Sequence, residues 1–429
     1  MRYLHVASIN RSGASLTTRL FDGHPDVASY PIEFNFPRNC EFYPFVDGLT
    51  GTPTHVPGFD PERDKDALKY FGISEEKERP VYEWGKERTD SVGVRENYLE
   101  RELYNKVKTN FDYKKYISLL KKYAAGAKNV SDMYNARHRA YFEAWENNKY
   151  SGSLEYVATY GSGELYLNNF DRYFNEFPGS SVLTPVRDIM GYIASEKTRY
   201  ARMYYGARRF SYPKLPNFFV KMFKQYDLDA LIRSWLVAIT RVVLLQERYG
   251  VDKCLIVYRY ENLVEDTETT MRAICEKSGL RYDSCLLEPT IAHRPWGGSS
   301  HQGKQTGVNK DLVNYYPTVL TVAEIDKINR SCGKVLSYVH KIKDTPADFT
   351  VIPRDELYDY EYQKKYFDDE EKIALYSALA YNARRRTKVG PPDTTAIFAL
   401  FFAKFVQLVH MPRLLKQRLF PGTGKQNYR

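Results

Sequence analysis

Short apolar runs and longer amphipathic stretches alternate along much of the chain. The first apolar run predicts a buried strand over residues 2–9. In the stretch after it, Leu16, Leu20 and Phe21 have the i, i+4, i+5 spacing of a helix face. The turn between these two elements is centred on Gly13. The chain is therefore predicted to open with a strand, a tight turn and a helix.

The same alternation continues and predicts four more strands and four more helices. The strands lie at about 27–31, 154–158, 181–186 and 254–258. The helices lie at about 164–177, 189–204, 228–249 and 267–278. The last strand is a continuous apolar run, as in a parallel sheet covered on both faces, whereas Pro185 indicates an edge strand or a strand end. The repeated strand–helix order predicts an α/β fold with a doubly wound parallel sheet and helices on both faces.

Two regions interrupt or follow this pattern. Residues of about 38–150 begin rich in Pro and Gly, continue with charge runs and have a helical pattern at 103–123, so they are predicted to be a mainly helical insert. Residues 341–429 are predicted to be a C-terminal extension with an amphipathic helix at about 395–410. The predicted division is thus an α/β domain over residues 1–340, with its insert, and the extension.

Composition limits the partners and the location. The 429 residues are 27% charged and 43% hydrophobic, which is typical of a globular chain, and the net charge of +10 favours anionic partners. Five irregularly spaced cysteines fit neither a disulfide framework nor a zinc site and are expected to be reduced thiols. The first predicted strand begins almost at Met1, which leaves no room for a signal peptide, so a cytoplasmic location is expected.

The turn between the first strand and the first helix has the chemistry of an anion site. Backbone N–H groups at a helix N-terminus point towards one spot, and the helix dipole adds positive potential there. Arg11, Ser12 and Ser15 would supply further donors. The nucleoside triphosphate signature G-x-x-x-x-G-K-[ST] is absent. By itself, such a turn is equally typical of an ordinary strand–helix connection.

The residues of this turn resemble the 5′-phosphosulfate loop of the sulfotransferases. The resemblance begins at Arg11 and continues through Leu20 to Val27. Sulfotransferases transfer the sulfuryl group of 3′-phosphoadenosine 5′-phosphosulfate (PAPS) to an acceptor. The resemblance therefore implies a P-loop type of α/β fold and PAPS as the cofactor. It assigns cofactor binding to Arg11, Ser12, Gly13, Ala14, Ser15 and Leu16.

This loop departs from the family pattern at two positions. Ala14 stands where the family often has Thr or Ser, which removes one phosphate-facing hydroxyl. Arg11 stands where cytosolic members use Lys, although other branches of the family carry Arg. Because an arginine cannot release its proton in a protein, Arg11 is expected to neutralise the charge that develops on the bridging oxygen. It is not expected to act as a proton donor.

A second stretch resembles the family signature that binds the 3′-phosphate of the nucleotide. Arg187 follows a predicted strand, and Ser195 lies eight residues on, about two turns into the next helix. A guanidinium from the strand end and a hydroxyl from the helix face could converge on one phosphate. The pair comes in the family order, behind the first loop.

Two further stretches resemble family signatures. Residues 259–268 resemble the segment whose Tyr lies near the adenine side of the nucleotide, here Tyr260, although Asn262 replaces an Asp. Residues 294–300 resemble the glycine-rich loop that covers the cofactor, and this likeness assigns cofactor binding to Trp296 and Gly297. Without the family context, Trp296 would be interpreted as a loop aromatic at the edge of the core. In total the resemblance spans residues 1–37 and 152–338.

Glu33 is the predicted catalytic base. An acceptor hydroxyl must lose its proton as the new bond forms, and the family uses a His or a Glu. The stretch around Glu33 resembles the Pro-x-Glu-x-Phe that follows the second strand in some bacterial members, although a solvated loop carboxylate remains the alternative. His293 and His301 flank the covering loop, and either could replace Glu33. Two other histidines, His5 and His24, are expected to be structural.

Taken together, the resemblance implies a PAPS-dependent sulfotransferase that acts on a hydroxyl of a carbohydrate, a glycolipid or another small molecule. Neither a metal ion nor a nucleic acid is expected as a partner. One rival is a P-loop small-molecule kinase, which would need a loop Lys and a magnesium-binding carboxylate that the sequence does not show. The other is a non-catalytic nucleotide- or glycan-binding protein with the same fold, which the departures at Arg11 and Ala14 keep open.

The predicted helix at 395–410 has two interpretations. Its residues 396–409 are apolar except for Lys404 and Gln407, which share a narrow strip with His410, and the stretch is too short to span a bilayer. It could pack on the body of the protein. Alternatively, it could lie in the interface of an anionic membrane, where lipid-linked glycans would be within reach. The sequence leaves both open, together with the oligomeric state.

Overall fold

A computed structural model describes residues 1–29, 113–126, 130–144, 154–162, 170–200, 226–250, 255–291, 294–296, 307–365 and 367. Its centre is a sheet of five parallel strands. The strands are β1 (Arg2–Ser8), β2 (Val27–Ser29), β3 (Tyr156–Ser162), β4 (Ser181–Val186) and β5 (Leu255–Arg259). Their order across the sheet is β2-β3-β1-β4-β5. The predicted doubly wound α/β fold is therefore confirmed.

Helices connect these strands and continue after them. They are α1 (Ala14–Phe21), α2 (Tyr113–Ala124), α3 (Val130–Glu143), α4 (Phe170–Glu176), α5 (Ile189–Tyr200), α6 (Leu228–Tyr249), α7 (Tyr260–Glu265), α8 (Thr267–Ser278) and α9 (Val322–Lys341). A two-stranded antiparallel hairpin, β6 (Thr290–Ile291) and β7 (Arg294–Pro295), lies between α8 and α9. The predicted helices at 228–249 and 267–278 are confirmed with the same bounds.

The sheet is covered on both faces. Every residue of β4 and β5, and six of the seven residues of β1, are buried. Because successive side chains of a strand point to opposite faces, burial of all of them requires cover on each side. On one face, Tyr3 packs edge-to-face against Tyr134 of α3 and against Phe177, which follows α4. Part of the predicted insert is thus packed on the central strand and helps to build the core.

Two predictions about individual strands need correction. Pro185 lies in an interior strand, because β4 is paired with both β1 and β5, so the edge-strand alternative is wrong. The pairing of β4 with β1 covers Ser181 to Leu183, so Pro185 lies beyond the stretch that pairs with β1. On the other side, Pro185 lies opposite Tyr258 of β5. The predicted strand at 154–158 is also displaced, since β3 pairs residue by residue with all of β1 and therefore continues to Ser162.

The packed body continues beyond residue 340, the predicted domain boundary. The backbone N–H of Ala347 donates to the carbonyl oxygen of Val257 in β5 at 2.6 Å. Gln246 of α6 accepts from Phe349 N and donates to Ala347 O, both at 2.8 Å. The predicted helix at 395–410 and the greater part of the predicted insert lie outside the described residues. Among the helices that are described, none is both long and apolar enough to cross a membrane.

Three of the five cysteines lie in the described residues, and all three are free thiols. Burial raises the pKa of Cys275, Cys285 and Cys332 to about 12 in each case. These thiols are therefore protonated at neutral pH and are poor nucleophiles. The other two, Cys40 and Cys254, lie outside the described residues.

Candidate functional site

The strand order creates a switch point beside β1. The chain builds β2 and β3 on one side of β1 and β4 and β5 on the other. In open α/β sheets, ligands bind outside the carboxyl ends of the strands at such a reversal. The segments that follow β1, β4 and β5 all leave the sheet at this end, because the strands are parallel. Three of the four sequence signatures lie on these segments.

The loop after β1 is shaped by two left-handed residues. Gly13 precedes α1 with a φ of 103°, and Arg11 has a φ of 66°. Gly tolerates such a φ without steric cost, and the resulting sharp turn lets α1 begin at Ala14. The N-cap residue of α1 is Gly13, and no side-chain cap hydrogen bond is present there among the described residues. The Ser12 hydroxyl is buried and has no hydrogen-bond partner among the described residues. Donors that an anion could satisfy are therefore present in this loop.

The other predicted loop residues differ in what they offer. The Ala14 and Leu16 side chains are buried in the core, so these residues can present only backbone groups to a ligand. Ser15 is half-buried at the start of α1. Thr17 closes the first turn with its N–H on the Gly13 carbonyl at 3.0 Å.

Arg187, at the end of β4, reaches across to the first loop. Its Nη1 donates to the carbonyl oxygen of Arg11 at 3.0 Å, and its Nη2 donates to the carbonyl oxygen of Leu312 at 3.1 Å. Its Nε is buried and has no hydrogen-bond partner among the described residues. Arg187 thus joins the loop after β1 to Leu312, which lies 125 residues after Arg187 in the chain.

Ser195 of α5 also meets the first loop. Its hydroxyl oxygen accepts a hydrogen bond from Nε of Arg11 at 2.9 Å. Arg187 and Ser195, which the sequence pairs as a phosphate site, therefore both contact Arg11. The structure brings the residues of two sequence signatures into one cluster with two guanidinium groups.

Tyr260, from the third signature, lies inside this cluster. The guanidinium carbon of Arg187 is 4.4 Å from the centre of its ring. On the Gly13 side, a Cβ built on that glycine would lie 2.5 Å from Cδ2 of Tyr260. The ring is only 6% exposed. Burial raises the pKa of its phenol, and the nearby Arg187 opposes that shift.

Sequence reasoning missed several residues that fix Arg187. Trp235 of α6 donates from Nε1 to the Arg187 carbonyl at 2.8 Å, and Glu261 accepts from the backbone N–H of Asp188 at 2.9 Å. A Cβ on Gly191 would lie 2.9 Å from Nε of Arg187. In the sequence, Trp235 is one of several apolar residues on one face of the amphipathic helix at 228–249, and nothing relates it to Arg187. A glycine inside a helical pattern was a usable signal for Gly191, since such a residue often has a packing reason.

Glu261 is itself a buried charged group. Burial raises its pKa, while Arg259 and the Asp188 N–H act in the opposite direction. Nη2 of Arg259 lies 3.4 Å from its carboxylate, and both side chains are almost fully buried. Through Glu261, the pair contacts the peptide that joins Arg187 to Asp188.

Helix α9 contacts both the residue before α5 and the last turn of α5. Asp188 accepts from Met190 N at 2.7 Å and also contacts Nε2 of His340 at the end of α9. Lys197 of α5 forms an ion pair with Glu324 of α9 at 2.7 Å. The elements that carry Arg187 and Ser195 are therefore held by α9 as well as by the sheet.

The remaining predicted site residues have mixed outcomes. Trp296 is buried in the hydrophobic core, and its Nε1 has no hydrogen-bond partner among the described residues. Its role in covering a cofactor stays a prediction, as does that of Gly297, which lies outside the described residues. The three candidate bases, Glu33, His293 and His301, also lie outside them.

Two histidines were expected to be structural, and their contacts agree. Nδ1 of His5 lies 2.8 Å from the Thr159 hydroxyl. His24 accepts from the Asp26 N–H and contacts the Arg281 carbonyl oxygen through Nε2. Within the described residues, no group of His, Cys, Asp and Glu side chains is arranged to hold a metal ion.

Comparison with known protein families finds a similarity over part of the chain. A family model described as "Sulfotransferase family" matches residues 76–284, a range that includes Arg187, Ser195 and Tyr260 but not the loop after β1. No curated protein sequence matches the chain. Over residues 76–284 the chain is therefore similar to the sulfotransferase family.

The solved structures that the chain matches are distant in sequence. The sulfotransferase domain from the curacin biosynthetic pathway is 12% identical, covers 78% of this chain and 98% of its own, and has a TM-score of 0.39. The sulfotransferase domain of the olefin synthase from Synechococcus PCC 7002 is 13% identical, with 77% and 94% coverage and a TM-score of 0.40. A sulfotransferase from Mycobacterium avium is 10% identical, with 79% and 76% coverage and a TM-score of 0.32.

Proposed function

We propose that this protein transfers the sulfuryl group of PAPS to an acceptor hydroxyl, on a glycan, a glycolipid or another small molecule. The convergence of Arg11, Arg187 and Ser195 at the carboxyl ends of β1 and β4 carries the proposal. Two guanidinium groups and an uncapped helix N-terminus at one site favour a ligand with more than one anionic group.

The residues present fit such a nucleotide. The buried Ser12 hydroxyl and the Nε of Arg187 are polar groups with no partner among the described residues. A buried polar atom without a partner is costly, and phosphate oxygens would satisfy both groups. Ser12, Gly13 and the first turn of α1 would hold the 5′-phosphosulfate, and Arg187 with Ser195 would hold the 3′-phosphate. PAPS would supply an activated sulfuryl group.

Sulfuryl transfer requires three contributions from the residues of the protein. Transfer between oxygens needs alignment, stabilisation of charge on the leaving side and removal of the acceptor's proton. Arg11 and the N–H groups of α1 would stabilise that charge, with Arg11 fixed in place by Ser195. Glu33 is the proposed base, because it follows β2 by four residues and that strand ends at the same edge of the sheet.

Calorimetric titration with adenosine 3′,5′-bisphosphate, adenosine 5′-monophosphate and ATP tests the nucleotide. We expect the bisphosphate to bind at least about tenfold more tightly than the monophosphate, since a charge-assisted hydrogen bond contributes about 1.5–3 kcal/mol. Equal affinity for these two nucleotides would remove the 3′-phosphate site. Preferential ATP binding with transfer of its γ-phosphate would instead indicate a kinase.

Turnover is tested by incubating the full chain with sulfur-labelled PAPS and fractionated glycans, glycolipids and small hydroxyl compounds. We expect label in an acceptor fraction. Glu33→Gln is expected to lose most of this transfer and keep its nucleotide affinity, whereas Arg11→Ala loses both. Tight nucleotide binding without transfer to any fraction would indicate a non-catalytic protein, and a fully active Glu33→Gln would shift the base to His293 or His301.

A further inference from the structure

The described residues contain an aromatic–cation stack between the two phosphate-binding elements. Its members are Tyr260 at the start of α7 and Arg187 at the end of β4, with 4.4 Å between the ring centre and the guanidinium carbon. Tyr260 is 6% exposed, as is Arg187. A cation over an aromatic face is attracted to the ring quadrupole, and the attraction grows when both groups are shielded from water.

Two glycines leave the space that this stack occupies. A Cβ at Gly13 would lie 2.5 Å from Cδ2 of Tyr260, and a Cβ at Gly191 would lie 2.9 Å from Nε of Arg187. Both distances are too short for real atoms. The stack therefore fills the space between the loop after β1 and the first turns of α5, and neither glycine can gain a side chain unless the stack moves.

The position of the ring limits what Tyr260 can do. The ring packs close to the backbone of Gly13 as well as on Arg187, and the residue is buried. Its surface is thus used within the protein, and little of it is left for stacking on a base. What the ring can do is fix the plane of the Arg187 guanidinium, whose Nη1 and Nη2 are already held by two backbone carbonyls.

We propose that Tyr260 is a positioning residue that determines selectivity for the 3′-phosphate by holding the Arg187 guanidinium in plane through its aromatic face. The inference rests on the proposed function, because it assumes that Arg187 contacts that phosphate. It predicts a selective effect: weakening the ring–cation attraction should reduce affinity for adenosine 3′,5′-bisphosphate and leave affinity for adenosine 5′-monophosphate nearly unchanged.

The sharpest test changes the ring electrons and leaves the shape alone. Tyr260→Phe is the reference, and phenylalanines with increasing numbers of fluorines are then introduced at position 260 by amber suppression in the full chain. Fluorine withdraws electron density from the ring face and weakens cation binding. We expect the ratio of bisphosphate to monophosphate affinity to fall stepwise, by about threefold to tenfold for the fully fluorinated ring. A constant ratio along the series would overturn the proposal.

A second measurement tests whether the effect passes through Arg187. Tyr260→Leu is expected to lower the affinity ratio in the wild-type background and to leave it unchanged in an Arg187→Ala background, because the two residues would act as one unit. Tyr260→Phe should keep the wild-type ratio. Equal losses for both nucleotides, or additive losses in the double variant, would show a general packing role and overturn the proposal.

Failure of the inference differs from failure of the proposed function. If the wild-type protein does not prefer the bisphosphate, the 3′-phosphate site itself is wrong. If it prefers the bisphosphate and the fluorinated series leaves that preference intact, the proposed function stands and only the role of Tyr260 is wrong.

Discussion

The two corners proposed to bind phosphate, one at the loop after β1 around Gly13 and one at Arg187 after β4, are built from different groups. The corner after β1 is made mainly by backbone: two left-handed residues, a helix start without a side-chain cap and a serine hydroxyl that lacks a partner among the described residues. The corner after β4 is made by side chains. There, Trp235 and Glu261 hold the carbonyl and the N–H of the peptide that joins Arg187 to Asp188, and Tyr260 lies against the Arg187 guanidinium.

This difference predicts which residues of each corner are most sensitive to substitution. A backbone corner depends on conformations that only small residues adopt easily, so its weak points are glycines. A side-chain corner depends on partners that are far apart in sequence and buried, so its weak points are polar residues whose loss leaves another polar group unsatisfied. Substitutions in the two corners should therefore change the free energy of unfolding and the nucleotide affinity to different extents.

The largest effect is expected from Glu261→Ala. It removes the acceptor for the Asp188 N–H and leaves Arg259 buried without its carboxylate. Breaking a buried ion pair on one side costs about 3–5 kcal/mol of the free energy of unfolding. Chemical denaturation measures this loss. Glu261→Gln keeps an acceptor oxygen and should lose clearly less, so equal losses in the two variants would contradict a role in satisfying the Asp188 N–H.

Arg187→Ala should come next, and it should act on affinity. We expect about 1.5–3 kcal/mol of weaker binding to adenosine 3′,5′-bisphosphate for each strong charge-assisted hydrogen bond lost. Binding of adenosine 5′-monophosphate should change little. Arg272→Ala is a matched control, because Arg272 is an exposed arginine that pairs with Glu268 on α8. A parallel loss for both nucleotides would contradict the division of the site into two corners.

Gly13→Ala should break the backbone corner. The new Cβ would collide with Tyr260 and the residue would keep a φ of 103°. Gly250→Ala isolates the conformational part, because Gly250 has a φ of 85° and a Cβ added there would meet nothing within 4 Å.

Both glycine variants should lose stability. Overpacking should cost Gly13→Ala about 1–2 kcal/mol beyond Gly250→Ala. Gly13→Ala should also lose nucleotide affinity, which the control keeps. The comparison uses melting curves and calorimetry of the two variants side by side, and an unchanged affinity in Gly13→Ala would show that the loop does not bind the ligand.

The smallest effect concerns the brace between α5 and α9. Burial alone would raise the pKa of Glu324, but Lys197, the Thr321 N–H and the Tyr226 and Thr321 hydroxyls overcome it and lower the pKa to about 2. Because the carboxylate is favoured in the folded state, its contribution to stability is present above about pH 4.5 and is lost as the pH falls towards 2.

The measurement for this brace is the melting temperature between pH 6 and pH 2.5. Glu324→Gln should flatten the acid part of this dependence, by an amount under about 1 kcal/mol because the pair is partly exposed. Glu268→Gln, which removes an exposed glutamate of α8, serves as the control. An identical acid dependence in wild type and Glu324→Gln would show that the Glu324 carboxylate does not contribute to the pH dependence of stability.

Local patterns in the sequence are enough to predict many of the elements and the chemistry of the first loop. Its apolar spacing predicts β1, α1, β4, α6 and α8, because strand and helix periods are properties of neighbouring residues. The glycine turn before α1 is readable from local chemistry, whereas the Arg187–Ser195 pair gains meaning only from its resemblance to a family signature. The family resemblance further predicts the order in which the signatures occur along the chain and PAPS as the ligand.

The tertiary structure decided which of these units meet. Strand order places β4 beside β1, and only this neighbourhood brings Arg187 to the Arg11 carbonyl, 176 residues away in sequence. Trp235, Gly191 and Leu312 carry no local pattern that relates them to Arg187, and Tyr260 was expected to lie near the adenine. Periodicity along a chain reports which side of an element is buried. The partner on that side is set by sheet topology and close packing, which no local spacing encodes.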